Sequence, residues 1–376
     1  MELSRKFGGS IVLWGIIMKT WKIAIVGCGD IAENVYMLQM RKNRRAEVVA
    51  CCDLKEERTA LFREKFNIPR AYSRIEDLLE KEDFEILMDT ASIQAHYELN
   101  MKALKAGKHL YSQKPAGLTV DQMTEMIETA KKAGLKFAAS PIHMLRPDIR
   151  EAKRLIDQGV IGKISLVRAM AAHGGPEYFQ YRVNDPSWFY DPGAGALYDL
   201  GVHALHQVTG LLGPAKTVSC TAAVSSPKRI IRSGNFNNKV INSDKLFDNY
   251  IINLDFGNGT IADVITGFCV KASTASSLEI YGEFGSIIFT NDPAQPIKIY
   301  IDEPDRKIRG WLEEFPQERP LGEFYHCSCI ADLIEAIENE RPSGIPPEHA
   351  RHVIDLICNI EESAKDHKPH KLATVF

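Results

Sequence analysis

The stretch Trp21-Lys22-Ile23-Ala24-Ile25-Val26-Gly27-Cys28-Gly29-Asp30-Ile31-Ala32 decides the fold. Its first six residues are mostly apolar and read as a buried strand of a parallel sheet. A G-x-G-x-x-A turn follows at once and opens a helical pattern over 31–41. Gly27 permits a tight turn, Gly29 lets backbone come close to a pyrophosphate, and Ala32 allows close helix–strand packing. The helix start adds N–H groups and a positive dipole end that suit phosphate. Asp53 stands twenty-one residues beyond Ala32, at the end of the next apolar run. A carboxylate there accepts hydrogen bonds from ribose hydroxyls. Its charge repels a 2′-phosphate, and Leu54 and Lys55 follow it rather than Arg. NAD is therefore the expected cofactor, with NADP as the alternative.

Outward from this turn, short apolar runs alternate with helical patterns. Strands are expected at 22–26, 47–52, 85–89, 109–112 and 136–140, with helices near 31–41, 55–65, 94–106 and 121–133. Gly107 and Gly134 stand where helix C-caps fall. Such alternation implies a doubly wound parallel sheet, a Rossmann domain of α/β class. After residue 141 the pattern changes. A helix near 148–158, a strand over 163–173, an aromatic loop over 174–193 and a helix near 195–212 lead into strand-like runs. These runs lie at 216–225, 247–256, 260–270, 277–282 and 285–290, with turns such as Phe256-Gly257-Asn258-Gly259-Thr260 between them. A second, α+β domain with a mostly antiparallel sheet is expected, in which 226–245 reads as a loop. Helices at 323–339 and 347–365 close the chain. The domain plan is an N-terminal extension over 1–17, a dinucleotide-binding domain over 18–141 and a substrate-binding and oligomerisation domain over 142–346. The helix at 347–365 is expected to pack back on the first domain.

Composition narrows the partners. The chain has 376 residues, 46 Lys+Arg against 49 Asp+Glu and a net charge of -3, so no basic surface for nucleic acid is expected. No run reaches the ~18 apolar residues of a transmembrane helix, so no membrane partner is expected. Arg5 and Lys6 ahead of Ile11–Met18 loosely imitate a signal peptide, but the apolar segment is short and lacks a cleavage site before Trp21. Met18 reads as a natural start, and 1–17 as functionally silent. The 8 cysteines form no zinc knuckle and read as free thiols of a cytoplasmic protein.

Two further segments carry chemistry. Tyr111-Ser112-Gln113-Lys114-Pro115 lies at the C-terminal end of the fourth expected strand, the edge where open α/β sheets bind ligands. Lys114 is expected beside the nicotinamide, and Pro115 ends the strand. In Gly195-Ala196-Leu197-Tyr198-Asp199-Leu200-Gly201-Val202-His203-Ala204-Leu205-His206, helical spacing puts Asp199, His203 and His206 on one face. A neutral imidazole accepts an alcohol proton at cellular pH, and an Asp four residues away can orient it. The bland reading is a hydrogen-bonded helix face. A metal site of Asp199, His203 and His206 with His143 or His173 is a rival. His173, Tyr178, Trp188 and Tyr190 are expected to line a sugar pocket, since aromatic faces and polar tips suit carbohydrate.

These residues carry a resemblance to the glucose–fructose oxidoreductase / inositol dehydrogenase (Gfo/Idh/MocA) family over residues 20–370. The glycine turn with Asp53, the segment Ala103-Leu104-Lys105-Ala106-Gly107-Lys108-His109-Leu110 leading to Lys114-Pro115, Gly193–His203, and Tyr281-Gly282-Glu283-Phe284-Gly285-Ser286 resemble the family's motifs in order. The resemblance implies a Rossmann domain followed by a domain with a large, open sheet that commonly forms the oligomer interface, so a homo-oligomer, dimer or tetramer, is expected. It also implies hydride transfer at a sugar or cyclitol hydroxyl, with Lys114 and His203 at the reacting oxygen and Asp199 holding the substrate or orienting His203. Gly27, Gly29, Asp30, Ile31, Asp53, Ser92, Gln113 and Lys114 are the cofactor-side candidates, and His173, Trp188, Tyr190 and His206 the substrate-side ones. Three departures stand out: Gln113 in place of the usual Glu, Ala91-Ser92-Ile93 in place of Thr-Pro-Asn, and His206 in place of an acid, which would make the pocket floor more cationic. An NAD-dependent glycosidase that works by transient oxidation and elimination is the enzymatic alternative. A non-catalytic NAD-binding regulatory protein is the other, disfavoured because both Lys114 and His203 are kept.

Overall fold

The computed structural model describes residues 6–7, 10–13, 16–178, 185–232, 234–312 and 326–376. The chain divides into two units, residues 1–142 with 324–350 and residues 143–323 with 351–376.

The first unit is built on six parallel strands: β1 (Trp21–Val26), β2 (Ala46–Cys52), β3 (Arg70–Tyr72), β4 (Ile86–Asp89), β5 (His109–Ser112) and β6 (Phe137–Ala139). Their order is β3-β2-β1-β4-β5-β6, so the direction of winding reverses between β1 and β4. Ile23, Ala24 and Ile25 are fully buried, as are Ile86, Leu87 and Met88, because helices cover both faces. The helices are α1 (Ala32–Met37 wound as a π-helix, continuing over Leu38–Met40), α2 (Glu56–Phe66), α3 (Ile75–Lys81), α4 (His96–Lys105) and α5 (Val120–Lys132). The short elements β3 and α3 carry too few apolar residues to register in a periodicity reading. Residues 10–13 and 16–19 pair antiparallel, with 6–7 on 10–13, as a sheet of their own.

The second unit holds a nine-stranded sheet. After α6 (Pro147–Asp157) come β7 (Ile164–Ala172), a π-helical turn (Leu197–Gly201), α7 (Val202–Leu212) and β8 (Thr217–Ala223). Then follow β9 (Asn249–Asp255), β10 (Ile261–Gly267), β11 (Leu278–Gly282), β12 (Gly285–Phe289), β13 (Ile297–Glu303), β14 (Ile308–Trp311) and β15 (His370–Lys371). The order is β14-β13-β12-β11-β7-β10-β9-β8-β15, antiparallel throughout except for β7 with β10. Along β9, Tyr250, Ile252 and Leu254 are buried while Ile251 is 56% exposed, the alternation of a sheet covered on one face. Helix α7 packs on that covered face against β7 and β10.

One expectation needs correction. Residues 226–245, expected as a loop, contain a hairpin of Lys228–Ile230 on Val240–Asn242. Its outer side mixes Lys228 and Asn242 with exposed Ile230 and Val240 while Arg229 turns inward, so no apolar-in, polar-out alternation marks it in the sequence. A helix of the closing segment, α8 (Ser328–Glu338), packs on the nucleotide sheet. Helix α8 contacts β5 and β6 and buries Cys329, Ile330, Leu333 and Ile334, and Ala139 N–H donates to Ile345 O. The last helix, α9 (Pro347–Asp366), belongs from Arg351 onward to the second unit. There Ser363 Oγ accepts from Cys220 N at 2.9 Å, and Asp355 Oδ2 accepts from the backbone of Ala373 and Thr374. No helix among the described residues is long and apolar enough to cross a membrane.

Candidate active site

The glycine turn sits at the C-terminal end of β1, beside the point where the sheet reverses. Gly27 has φ +90°, which only glycine adopts cheaply, and a Cβ there would run into the backbone of Thr90 and Ala91. Its N–H donates to Cys52 O at 2.8 Å. Thr90 Oγ1 donates to Gly27 O at 2.7 Å, so the turn is clamped to β4 as well. Gly29 is different: a Cβ built on it meets nothing within 4 Å. Its backbone faces open space at the start of α1, which a pyrophosphate would fill. Asp53 ends β2 as expected, and its carboxylate is tied into the turn. Oδ2 accepts from Cys28 N and Oδ1 from Lys55 N, each at 3.0 Å. A carboxylate offers about four lone-pair positions, so two hydrogen bonds leave capacity for ribose hydroxyls. Asp30 is half-buried, while Ile31 is 37% exposed at the helix start. These features fit a dinucleotide.

Sequence reasoning missed Arg58, whose Nη1 lies 3.8 Å from Asp53 Oδ2. It stands one turn into α2 rather than next to Asp53, so a search for an adjacent Arg passes over it. A buried pair was missed too: His96 Nδ1 and Asp89 Oδ2 are 2.7 Å apart, and Asp89 Oδ1 accepts from Ala91 N at 2.9 Å. This pair shapes the end of β4, where Ser92 is exposed.

At the end of β5, Lys114 is half-buried and Pro115 follows through a cis peptide bond. Gln113 is turned into its own unit. Its Nε2 donates to Tyr36 Oη at 2.9 Å, and its Oε1 accepts from Lys114 N at 2.7 Å. Tyr36 and Tyr111 share a hydrogen bond of 2.6 Å beneath it, both fully buried. Gln113 therefore positions the Lys114 backbone, and both ends of its amide are engaged in doing so.

In the second unit, His143 heads a short 3₁₀ turn (His143–Leu145) that packs on α7. Its Nε2 lies 2.8 Å from Nδ1 of His203, with the rings edge to face at 82°. The side-chain amide of Gln207, one turn after His203, lies 3.1 Å from His143 Nδ1. Asp199 lies in the π-helical turn, and its Oδ2 is 4.0 Å from His173 Nε2. The partner at His203 Nδ1 is thus His143, which the spacing argument had ranked only among rival metal ligands. The π-helical turn shifts the register that equal helical spacing assumed. His206 is fully buried behind His143 and His203 rather than in a pocket wall. Burial first, then those two imidazoles, hold its pKa well below the ordinary histidine range. His206 is therefore neutral, and the expectation of a more cationic floor is corrected. Among the described residues no group of three or more His, Cys, Asp or Glu is arranged to hold a metal ion.

The aromatic loop divides. Tyr178 and Trp188 are exposed, and Trp188 stacks on Phe189. Tyr190 is 4% exposed and its hydroxyl donates to Glu177. His173 stacks on Phe268 at 5.2 Å, and its Nδ1 accepts from Gly175 N at 3.0 Å. Beneath these, Arg229 bridges Glu177, Asp248 and Phe268 O at 2.8, 2.8 and 3.0 Å. All three charged residues are buried. The network fixes the base of the loop, and no sequence spacing announced it.

Comparison with known proteins bears on both units. Residues 21–140 match a family model described as the oxidoreductase family, NAD-binding Rossmann fold. Residues 149–288 match the GFO/IDH/MocA C-terminal domain. D-glucoside 3-dehydrogenase of Escherichia coli is 26% identical over 92% of this chain and 95% of its own length. Myo-inositol 2-dehydrogenase of Thermotoga maritima is 23% identical over 87% of this chain and 90% of its own. A solved levoglucosan dehydrogenase, in complex with NADH, has the same fold at TM-score 0.82 and 18% identity, covering 95% of this chain and all of that one.

Proposed function

The chain belongs to the Gfo/Idh/MocA oxidoreductase family, and from that premise we propose that it is an NAD-dependent dehydrogenase of a secondary hydroxyl on a sugar, cyclitol or sugar derivative. The observation that carries the reading is the hold on His203. With Nδ1 engaged by His143 at 2.8 Å, this imidazole exchanges protons with a substrate through Nε2. The relatives named for ring-hydroxyl oxidation match over nearly their whole length, which supports the substrate class.

The open backbone at Gly29 and the Asp53 carboxylate would hold the dinucleotide. NAD, when bound, supplies the acceptor for hydride. His203 takes the hydroxyl proton as general base and returns it as general acid in the reverse direction. Lys114 stabilises negative charge developing on the reacting oxygen. Asp199 and His173 contact the sugar hydroxyls, with Trp188 and Tyr178 as the aromatic surface. The uncovered face of the nine-stranded sheet, with Ile251 and Ile261 more than half exposed, is the surface on which copies of the chain would associate.

The test is a panel of glycosides, free sugars, cyclitols and nucleotide sugars, with NADH formation followed by absorbance. The active compound is then used on His203→Ala and Lys114→Ala, with NAD binding measured in parallel. Loss of a general acid/base lowers turnover about 10²–10⁴-fold. Wild-type turnover by His203→Ala rejects the assigned role. Release of nitrophenol from a nitrophenyl glycoside without net NADH turns the reading to elimination chemistry.

A further inference from the structure

Nδ1 of His203 is held by a chain of two residues. His143 Nε2 meets it at 2.8 Å, and the Gln207 side-chain amide meets His143 Nδ1 at 3.1 Å. His203 and Gln207 are four apart on α7 and so share a face, with the His143 turn packed against it. We propose that Gln207 is a positioning residue that acts through His143, the orientation of its amide selecting the tautomer of His203. The proposal rests on the reading of His203 as acid/base.

A neutral imidazole carries one N–H and one lone pair. The nitrogen–nitrogen contact between His143 and His203 therefore needs one donor and one acceptor. When Gln207 presents its NH₂ group, His143 Nδ1 accepts and its Nε2–H donates to His203 Nδ1. The His203 proton then sits on Nε2, and that nitrogen cannot take another without losing the first. When the amide is turned over, its oxygen accepts from His143 Nδ1–H. His143 Nε2 accepts from His203 Nδ1–H, and His203 Nε2 bears the lone pair. Only this second arrangement makes His203 a base toward an alcohol. In that step the hydroxyl O–H breaks and an Nε2–H bond forms, while NAD, when bound, would accept the hydride from the adjacent carbon. The imidazolium so formed keeps donating from Nδ1 to His143. An amide supplies either arrangement at the same site because it is donor at one end and acceptor at the other.

Other ionisable groups near the chain are His206 on α7, Asp199 in the preceding turn and His173 beside Asp199. The helix α6 and its N-cap contribute the ion pairs Arg146–Asp148 and Glu151–Arg154.

The test is histidine-selective long-range ¹H–¹⁵N correlation on the full-length protein through pH 5–9, for wild type, Gln207→Glu and Gln207→Met. A carboxylate only accepts, so Gln207→Glu places protons on Nδ1 of both rings and leaves Nε2 of His203 with lone-pair shifts at high pH. Its charge also raises the titration midpoint of the pair by about 1 unit or more. Gln207→Met removes the selector and changes the Nδ1/Nε2 shifts of His203 in the opposite sense or averages them. Unchanged His203 tautomer and midpoint in both variants overturns the proposal. If Gln207→Glu does not fold, the Met variant decides alone. A loss of turnover in His203→Ala with no tautomer change in the Gln207 variants defeats this inference and leaves the catalytic reading standing. A tautomer change with full turnover in His203→Ala does the reverse.

Discussion

The carboxylate of Asp53 accepts a hydrogen bond from the backbone N–H of Cys28 at 3.0 Å, joining the end of β2 to the middle of the glycine turn. One residue thus braces the turn and offers its remaining lone pairs to a ribose. Asp53→Asn removes the charge that opposes a 2′-phosphate and frees Arg58, 3.8 Å away, from its partner. The ratio of NAD to NADP affinity is expected to fall at least ~10-fold, equivalent to about 1.4 kcal/mol. Titration calorimetry with both nucleotides checks it. An unchanged ratio shows that Asp53 serves only the turn.

The two glycines separate folding from binding. Gly27→Ala forces a side chain into left-handed backbone against Ala91, so the melting temperature falls, with a strain cost of about 1–3 kcal/mol before the clash is counted. At Gly29 an added Cβ meets nothing within 4 Å, and Gly29→Val is the counterpart. That variant is expected to melt within a few degrees of wild type yet bind NAD more than ~10-fold less tightly. Equal thermal losses in the two variants, with NAD binding intact in Gly29→Val, would show that no phosphate sits over Gly29.

Arg229 neutralises two buried carboxylates at once. Arg229→Met leaves Glu177 and Asp248 buried beside each other, and a cost of about 3–5 kcal/mol is expected. Adding Glu177→Gln and Asp248→Asn should recover part of it, because the uncompensated charge is the larger penalty. Chemical denaturation of the single and triple variants decides. A triple variant no more stable than the single one refutes the electrostatic account.

Acid should weaken the fold through its buried imidazoles. His206, His109 and His352 all have pKa values lowered, burial being the first cause in each. The unfolded chain therefore binds more protons than the native one below the free histidine value of 6.5. Stability is full above that pH and is lost as pH falls through it, by up to about 1.4 kcal/mol per pH unit for each such histidine. Thermal melts from pH 8 to 5 measure the slope, and His206→Leu should flatten it. A slope equal to wild type in that variant shows that His206 titrates normally in the fold.

The N-terminal half of this architecture was legible as sequence. Strand His109–Ser112 falls where the apolar run ends, and the glycine turn lies between β1 and α1 as its spacing required. Such features are encoded within a few residues: a positive φ, an apolar run, a carboxylate at a strand end. The strands at 297–303 and 308–311 were passed over because their alternation is diluted by charged residues on the exposed face. Asp199 and Tyr190 were picked out by type, and their neighbours, His173 beside Asp199 and Glu177 on the Tyr190 hydroxyl, came only from the packing.

What the sequence determined by itself was the class of fold, the nucleotide turn and the identity of the titratable residues, since each depends on neighbours in the chain. The partner of His203 was decided only by tertiary structure. His143 stands sixty residues earlier, and its turn reaches that imidazole only because α7 leaves the preceding π-helical turn in one register and packs against it. Hydrogen-bond direction between two rings is a property of their arrangement in space, and a linear pattern carries no term for it.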